Sequence, residues 1–290
     1  MRILYFSQSK LDNSVNAVYI EGLRQNGAIV NSFHVPKGLK GLMSAAKHLK
    51  DTKDSDLIMV GYDSPSLVVF FKFLTGRKVV YNALCSVYER LIVSRALARP
   101  FYIKAVYYWL LDFLAVHSAN LVMVETDSQV KYFRKLFWVK QKKLFRAWTG
   151  VNEDVFYYSQ GVEKPPVFTV MFRGQFLPES GVEYVVRAAK ILENENINFV
   201  IHGGGQNDDK IKKLIEELRP GNIKLMIDFL PAEELRTLMQ KCHLSLGQLS
   251  NHPRLKRTVP HKCYESLAMK LPYLTASNIG VLELLTPDET

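Results

Sequence analysis

At 290 residues and 48% hydrophobic, the chain can bury one large core or two modest ones. Its three cysteines, Cys85, Cys242 and Cys263, are odd in number and form no Cys-x-x-Cys or Cys/His pattern. That argues against a disulfide framework or a cysteine-held metal, and for a reduced, cytoplasmic compartment. The formal charge of +10 is uneven: residues 1–150 carry 22 Lys and Arg against 10 Asp and Glu, and residues 151–290 carry 16 against 18. A basic half beside a nearly neutral half suits an anionic partner for the first, be it nucleic acid, an acidic membrane surface or a phosphate-bearing acceptor, with plain solubility as the bland alternative.

In chain order, Met1 and Arg2 lead directly into a strand at 3–8, so no secretory leader is expected. Helical spacing follows at 15–25, a strand at 29–35, a helix at 39–49, a strand at 56–62, a helix at 67–74 and a strand at 78–84. Residues 86–118 read as two helices broken near Pro100, and 121–125 as another strand. The longest apolar reach, 105–124, holds Asp112 and His117 in its middle and reads as a buried helix and strand, not a membrane span. Continuous apolar strands alternating with helices predict a parallel sheet covered on both faces.

The polar, proline-paired stretch at 158–166 reads as a linker, giving a first domain at 1–157 and a second at 167–290. The second domain repeats the alternation: strands at 167–172, 198–203, 224–229 and 244–247, and helices at 182–192, 209–219 and 232–242. The last helix and strand lie in TVPHKCYESLAMKLPYLTAS, 258–277. Pro260 suits a helix start, the helix runs to Met269, and 273–275 follow as a short strand. A helix that opens beside Arg254, Lys256 and Arg257 and carries Glu265 within it suits a nucleotide. Its N-terminal amides receive a diphosphate and Glu265 accepts from ribose hydroxyls. The competing reading is a surface helix with a solvated glutamate.

These segments, with MFRGQFLPESGVEYVVRAAKIL at 171–192, FVIHGGGQ at 199–206 and FLPAEELRTLMQKCHLSLG at 229–247, occur in an order that resembles the C-terminal half of the retaining glycosyltransferases of family 4. LVMVETDSQVKYF at 121–133 and KLFRAWTGVNEDVF at 143–156 are similar to that family's passage out of its first domain. The resemblance implies the B-type glycosyltransferase architecture, two Rossmann-like α/β domains facing a cleft. It also implies that a nucleotide-sugar donor is held by the second domain at Arg173, Gly174, Gly203, Gly204, Gly205, Arg257, Lys262 and Glu265. No metal and no cofactor beyond the donor is implied.

Departures qualify the carry-over. Many members place cations where Gln175 and Ser180 stand, so Arg173 or the group Arg254, Lys256, Arg257 and Lys262 would neutralise the diphosphate. Of the family's acidic pair spaced eight apart, Glu265 matches the later member and Arg257 stands at the earlier, which keeps ribose binding and loses hexose recognition. The loop Ser7-Gln8-Ser9-Lys10 lacks the glycine pair of many relatives. Asn82 lies near a position that takes part in the reaction, and with Arg173 and Lys262 it is a weak catalytic candidate. Members run on beyond the segment matching 279–285, so a final packing element is expected to be missing.

Residues 95–109, RALARPFYIKAVYYW, interleave cations with aromatics. Such a stretch suits a membrane interface, with Arg95, Arg99 and Lys104 toward anionic lipid or an acceptor. It equally suits a helix with inward-packed aromatics, and it suits single-stranded nucleic acid less, since no nucleic-acid module accompanies it. The expected function is transfer of a sugar, with retention, to a glycan or to a lipid-linked, membrane-proximal acceptor by a cytoplasmic, peripherally bound enzyme. The alternative is a catalytically silent relative kept as a binding subunit.

Overall fold

The computed structural model describes residues 1–289 and comprises two compact units, Met1–Gly150 and the residues from Val151 onward. The first is built on six parallel strands, β1 (Arg2–Ser7), β2 (Ile29–His34), β3 (Leu57–Val60), β4 (Val79–Leu84), β5 (Leu121–Val124) and β6 (Leu144–Arg146), in the spatial order β2-β1-β3-β4-β5-β6. Helices α1 (Ser14–Gln25), α2 (Leu39–Ala46), α3 (Pro65–Thr75), α4 (Ile103–Ser118) and α5 (Asp127–Phe137) connect them. Alternate strand residues bury opposite faces of the sheet. Phe6, Val60 and Tyr81 pack with Phe71 and Phe133 on one side, and Ile3, Tyr5 and Met59 pack with Ile20 on the other. This double burial is why the strands read as unbroken apolar runs. Side-chain caps start two of the helices: Asn13 accepts from the Asn16 amide at 2.9 Å and Thr126 from the Gln129 amide at 3.0 Å.

The stretch 86–118 departs from the expected helix pair. Only its second half is an α-helix, α4, while Glu89–Ser94 forms a short π-helical segment around the buried Glu89, whose carboxylate accepts from Gln129 Nε2 at 2.6 Å.

The second unit holds β7 (Phe168–Arg173), α6 (Val182–Ile191), β8 (Ile197–His202), α7 (Asp208–Leu218), β9 (Ile223–Met226), α8 (Ala232–Lys241), β10 (Leu244–Leu246), α9 (His261–Ala268), β11 (Tyr273–Leu274) and α10 (Ile279–Leu282). Its strands are parallel, in the order β11-β10-β7-β8-β9. Phe172, Phe176, Val186 and Ile201 form the core on one face, and Phe156, Met171, Met239 and Met269 form it on the other. Val151 and Val155 pack with that second group, and Gln240 Nε2 donates to the Tyr157 carbonyl at 2.7 Å. Residues 151–157, placed with the first domain from the sequence, therefore fold with the second unit. β9 ends at Met226, short of the expected 229, and Phe229 is 92% exposed.

Each sheet reverses its direction of growth once, at β1/β3 in the first and at β7/β10 in the second. Loops leaving the carboxyl ends of strands on either side of such a reversal diverge, and the crevice they leave is where ligands of parallel sheets bind.

Candidate functional site

The reversal in the second unit gathers most of the residues singled out from the sequence. β7 ends at Arg173, and the chain turns at Gly174 with φ +127 beside the turn after β8, where Gly203 has φ +139. The two turns are fastened to each other. Gly174 N donates to the His202 carbonyl at 2.9 Å, Phe176 N to the Gly204 carbonyl at 3.1 Å and Asn207 N to the Phe176 carbonyl at 2.9 Å. A Cβ on Gly203 would collide with the Gly174 carbonyl, so the protein's own backbone already demands that glycine. The Asp208 carboxylate accepts from the Gly205 amide and closes the loop.

Lys262 and Glu265 lie one turn apart on α9, both buried. Ser266 Oγ donates to the Lys262 carbonyl at 2.8 Å and lies 2.9 Å from Ser245 Oγ, which ties α9 to β10. The Lys262 ammonium sits 3.9 Å from the centroid of the Phe172 ring and against Gly174, and no hydrogen-bond partner reaches its Nζ. Burial, reinforced by the nearby Arg173 charge, lowers its pKa well below that of an ordinary lysine. Arg173 forms an ion pair with Glu265, and burial brings its own pKa down to about 10. Two of the groups expected to hold the donor therefore hold each other, and the third is a buried amine with no hydrogen-bond partner.

The remaining cations divide. Arg254 Nη1 donates to the buried Glu179 carboxylate at 2.6 Å, so its charge is engaged inside the fold. Lys256 is exposed and Arg257 half-buried on the turn Pro253–Arg257 that precedes α9. Ser180 fastens its loop, donating to the Gln175 carbonyl at 2.6 Å and accepting from Leu177 N at 3.3 Å. The position read from the sequence as a missing cation thus closes a turn. Tyr273, which the sequence marked only as a strand residue, is half-buried near Arg173, and burial of its hydroxyl raises its pKa. No pattern pointed to it, because its place depends on β11 lying beyond β10.

Asn82 lies within β4 in the first unit, 1% exposed, with its side chain beside Tyr5. There it belongs to a buried polar layer, with Tyr5 Oη donating to Asn16 Oδ1 at 2.9 Å. Of the cations at 95–109, Arg99 and Lys104 are exposed and Arg95 is half-buried. The aromatics there divide: Trp109 stacks on Phe113 at 5.2 Å, while Phe101 is 94% and Ile103 89% exposed. Among the described residues, no helix is long and apolar enough to cross a membrane, and no group of three or more His, Cys, Asp or Glu could hold a metal ion.

Residues 159–290 match the family described as glycosyl transferases group 1. The match spans nearly the whole of the second unit. Solved structures extend the likeness to both units. HepE of Anabaena in complex with UDP-glucose matches with a TM-score of 0.71 at 16% identity, over 99% of this chain and 83% of that one. WaaG, a glycosyltransferase involved in lipopolysaccharide biosynthesis, matches with a TM-score of 0.66 at 15% identity, over 97% and 83%. The two parallel sheets are thus those of the B-type glycosyltransferase fold, as the motif order implied. An uncharacterized glycosyltransferase of Methanocaldococcus jannaschii is 21% identical over 187 residues, 60% of this chain. The match takes in 47% of that relative, about half its length. The polar cluster at the β7/β10 reversal lies within the matched residues.

Proposed function

We propose that the chain transfers a sugar from a nucleoside diphosphate sugar to an acceptor hydroxyl with retention, holding the donor at Lys262, Arg173 and Glu265. The observation that carries this is Lys262, a lysine amine buried without a hydrogen-bond partner beside a glycine turn, where it lacks the anion that would justify its burial. A diphosphate oxygen supplies that anion. In this reading the acceptor oxygen bonds to the anomeric carbon on the face from which the diphosphate departs, and its proton passes to a phosphate oxygen of the leaving group. Lys262 and Arg173 stabilise the charge that develops there, which is the main demand of the chemistry. Glu265, released from Arg173, accepts from the ribose. UDP-bound relatives of this fold support the donor class and leave the base and sugar to experiment.

A thermal-shift panel tests it. UDP, GDP and ADP are compared with their nucleosides, and a bound ligand at a hundred times its dissociation constant adds about 2.7 kcal/mol of stability. At least one diphosphate should raise the melting temperature well beyond its nucleoside. A flat response to all three would leave a fold kept for binding some other partner.

We further propose that the acceptor is membrane-proximal. Ile103, Val106, Leu110 and Leu114 are all exposed and lie at helical spacing along α4, flanked by Arg99 and Lys104. An apolar stripe edged with cations fits an anionic lipid surface, each basic residue adding about 1 kcal/mol. Cosedimentation with anionic vesicles should be strong at low salt, weaker at high salt and reduced in Arg99→Gln/Lys104→Gln. Equal, negligible recovery with anionic and neutral vesicles would favour a soluble acceptor.

A further inference from the structure

We propose that the first unit carries a nucleotide-binding groove of its own, with a base stacked on Trp138 and its phosphates held by Lys131, Arg134, Lys135 and Lys140. The inference is independent of the transferase reading, whose donor lies in the second unit. The groove holds about 560 Å3, within the range of small-molecule sites, and is formed by the last turns of α5 and the segment that follows. Because α5 starts after β5 and runs back to where β6 begins, the groove lies at the amino ends of the strands, away from the β1/β3 reversal.

Residues 131–143, KYFRKLFWVKQKK, hold six cations and no acid. The fold accounts for three of them. Arg134 and Lys135 sit in the last turn of α5, where the negative end of the helix dipole favours cations. Lys143 donates to the His117 carbonyl at 2.7 Å, at the end of α4. Lys131, Lys140 and Lys142 have no such duty and are exposed. The four cations that line the groove form no ion pair and no side-chain hydrogen bond among the described residues. No carboxylate lines it, so the recess repels itself until an anion arrives.

Trp138 adds a shape to that charge. α5 ends on it with φ 53, in the left-handed conformation that glycine usually takes there. Phe137 and Val139 on either side are buried, while Trp138 is 68% exposed. Packing fixes the ring, which stands steeply to Trp109 and to Phe113 at centroid distances of 6.0 and 6.3 Å. Inorganic phosphate would satisfy the cations and leave the ring in water. A bilayer surface is flat and would not enter a recess. An acidic peptide would satisfy the lysines through carboxylates and leave the fixed indole without a planar partner. A nucleotide meets both demands, since stacking on an aromatic ring accepts any base and the phosphates take the cations. Free nucleotides and single strands share that chemistry.

The indole N–H signal of Trp138, assigned by its loss in Trp138→Phe, reports the groove in 1H–15N spectra of the full chain. ATP, UTP and a short oligothymidylate form one arm, and inorganic triphosphate and hexaglutamate the other. At least one base-bearing ligand should move the signal, with salt-sensitive affinity at least about five-fold tighter than either control. Trp138→Ala, followed through the neighbouring Trp109 indole, should weaken binding about five-fold or more, as expected when a base–aromatic stack is lost. Lys131→Gln/Lys140→Gln should weaken it and flatten its salt dependence. All three side chains are exposed, and melting temperature reports folding. Tighter binding of the oligothymidylate would assign a strand, and tighter binding of ATP or UTP a free nucleotide; both uphold the site. A still Trp138 signal, controls that bind as tightly as nucleotides, or affinity indifferent to Trp138→Ala would each overturn it. Lys262→Met separates the two nucleotide sites. It should leave this titration unchanged, and loss of the Trp138 response in that variant would trace the signal to the second unit and sink this inference alone.

Discussion

Replacing Lys262 with methionine should stabilise the ligand-free protein at neutral pH and remove most of its affinity for a nucleoside diphosphate. Methionine keeps the stem's contact with Phe172 and removes a buried polar group that has no partner, which is worth about 1–3 kcal/mol. The pH dependence identifies the cause. Burial lowers the folded-state pKa of Lys262, so between that pKa and the unfolded value near 10.5 the unfolded chain binds more protons than the folded one. Wild-type stability should consequently rise with pH across this window, and Lys262→Met should flatten the rise. Melting curves at pH 7.5–9.5 measure it below the range where tyrosines ionise. The same proton appears in binding: a diphosphate that recharges Lys262 takes up a proton, so affinity should fall by up to ten-fold per pH unit in the window. Calorimetry in buffers of different ionisation enthalpy counts that proton. A destabilised Lys262→Met with an unaltered pH slope would mean that the lysine is charged and paired in the folded state.

Glu265→Ala should destabilise the protein by about 3 kcal/mol, since it strands the Arg173 charge in a site largely closed to water. That loss would confound a simple binding assay, because weaker nucleotide binding and partial unfolding look alike. The Arg173→Met/Glu265→Ala double variant removes both charges and should recover much of the stability while still failing to bind nucleotide. Chemical denaturation of the four proteins gives the coupling energy directly. Additive losses would show that the two side chains do not sense each other, and ribose binding by a free Glu265 would then stand without any exchange of partners.

The regular elements were legible where burial imposes a pattern. β1, β3, β4, β5, β7 and β8 sit inside two-sided sheets and announced themselves as apolar runs. β6 did not, since Phe145 and Arg146 are exposed at the sheet edge and the run is only three residues long. The π-helical turn at Glu89–Ser94 escaped because it answers to a buried carboxylate, a tertiary demand with no local signature. In the candidate site, the local spacing of Lys262 and Glu265 on one helix was readable. The pairing of Arg173 with Glu265 and of Arg254 with Glu179 was not, for these residues meet only once the sheet is assembled. Ser180 shows the limit from the other side. Comparison marks it as a lost cation, and the fold uses its hydroxyl to shut a turn.

The backbone stitching between the turns after β7 and β8 has a dynamic consequence. Three main-chain bonds and a close glycine contact join 174–176 to 202–207, so neither segment can lift without breaking the other's ladder. Amide protons of Gly174 and Phe176 should exchange with solvent only through opening of the sheet end itself, slowly compared with those of the 158–166 stretch. A floor of this kind does not reshape itself around an arriving molecule. Adjustment at the site must instead come from side chains swapping partners above it, a change in charge pairing and proton count with little displacement of the chain.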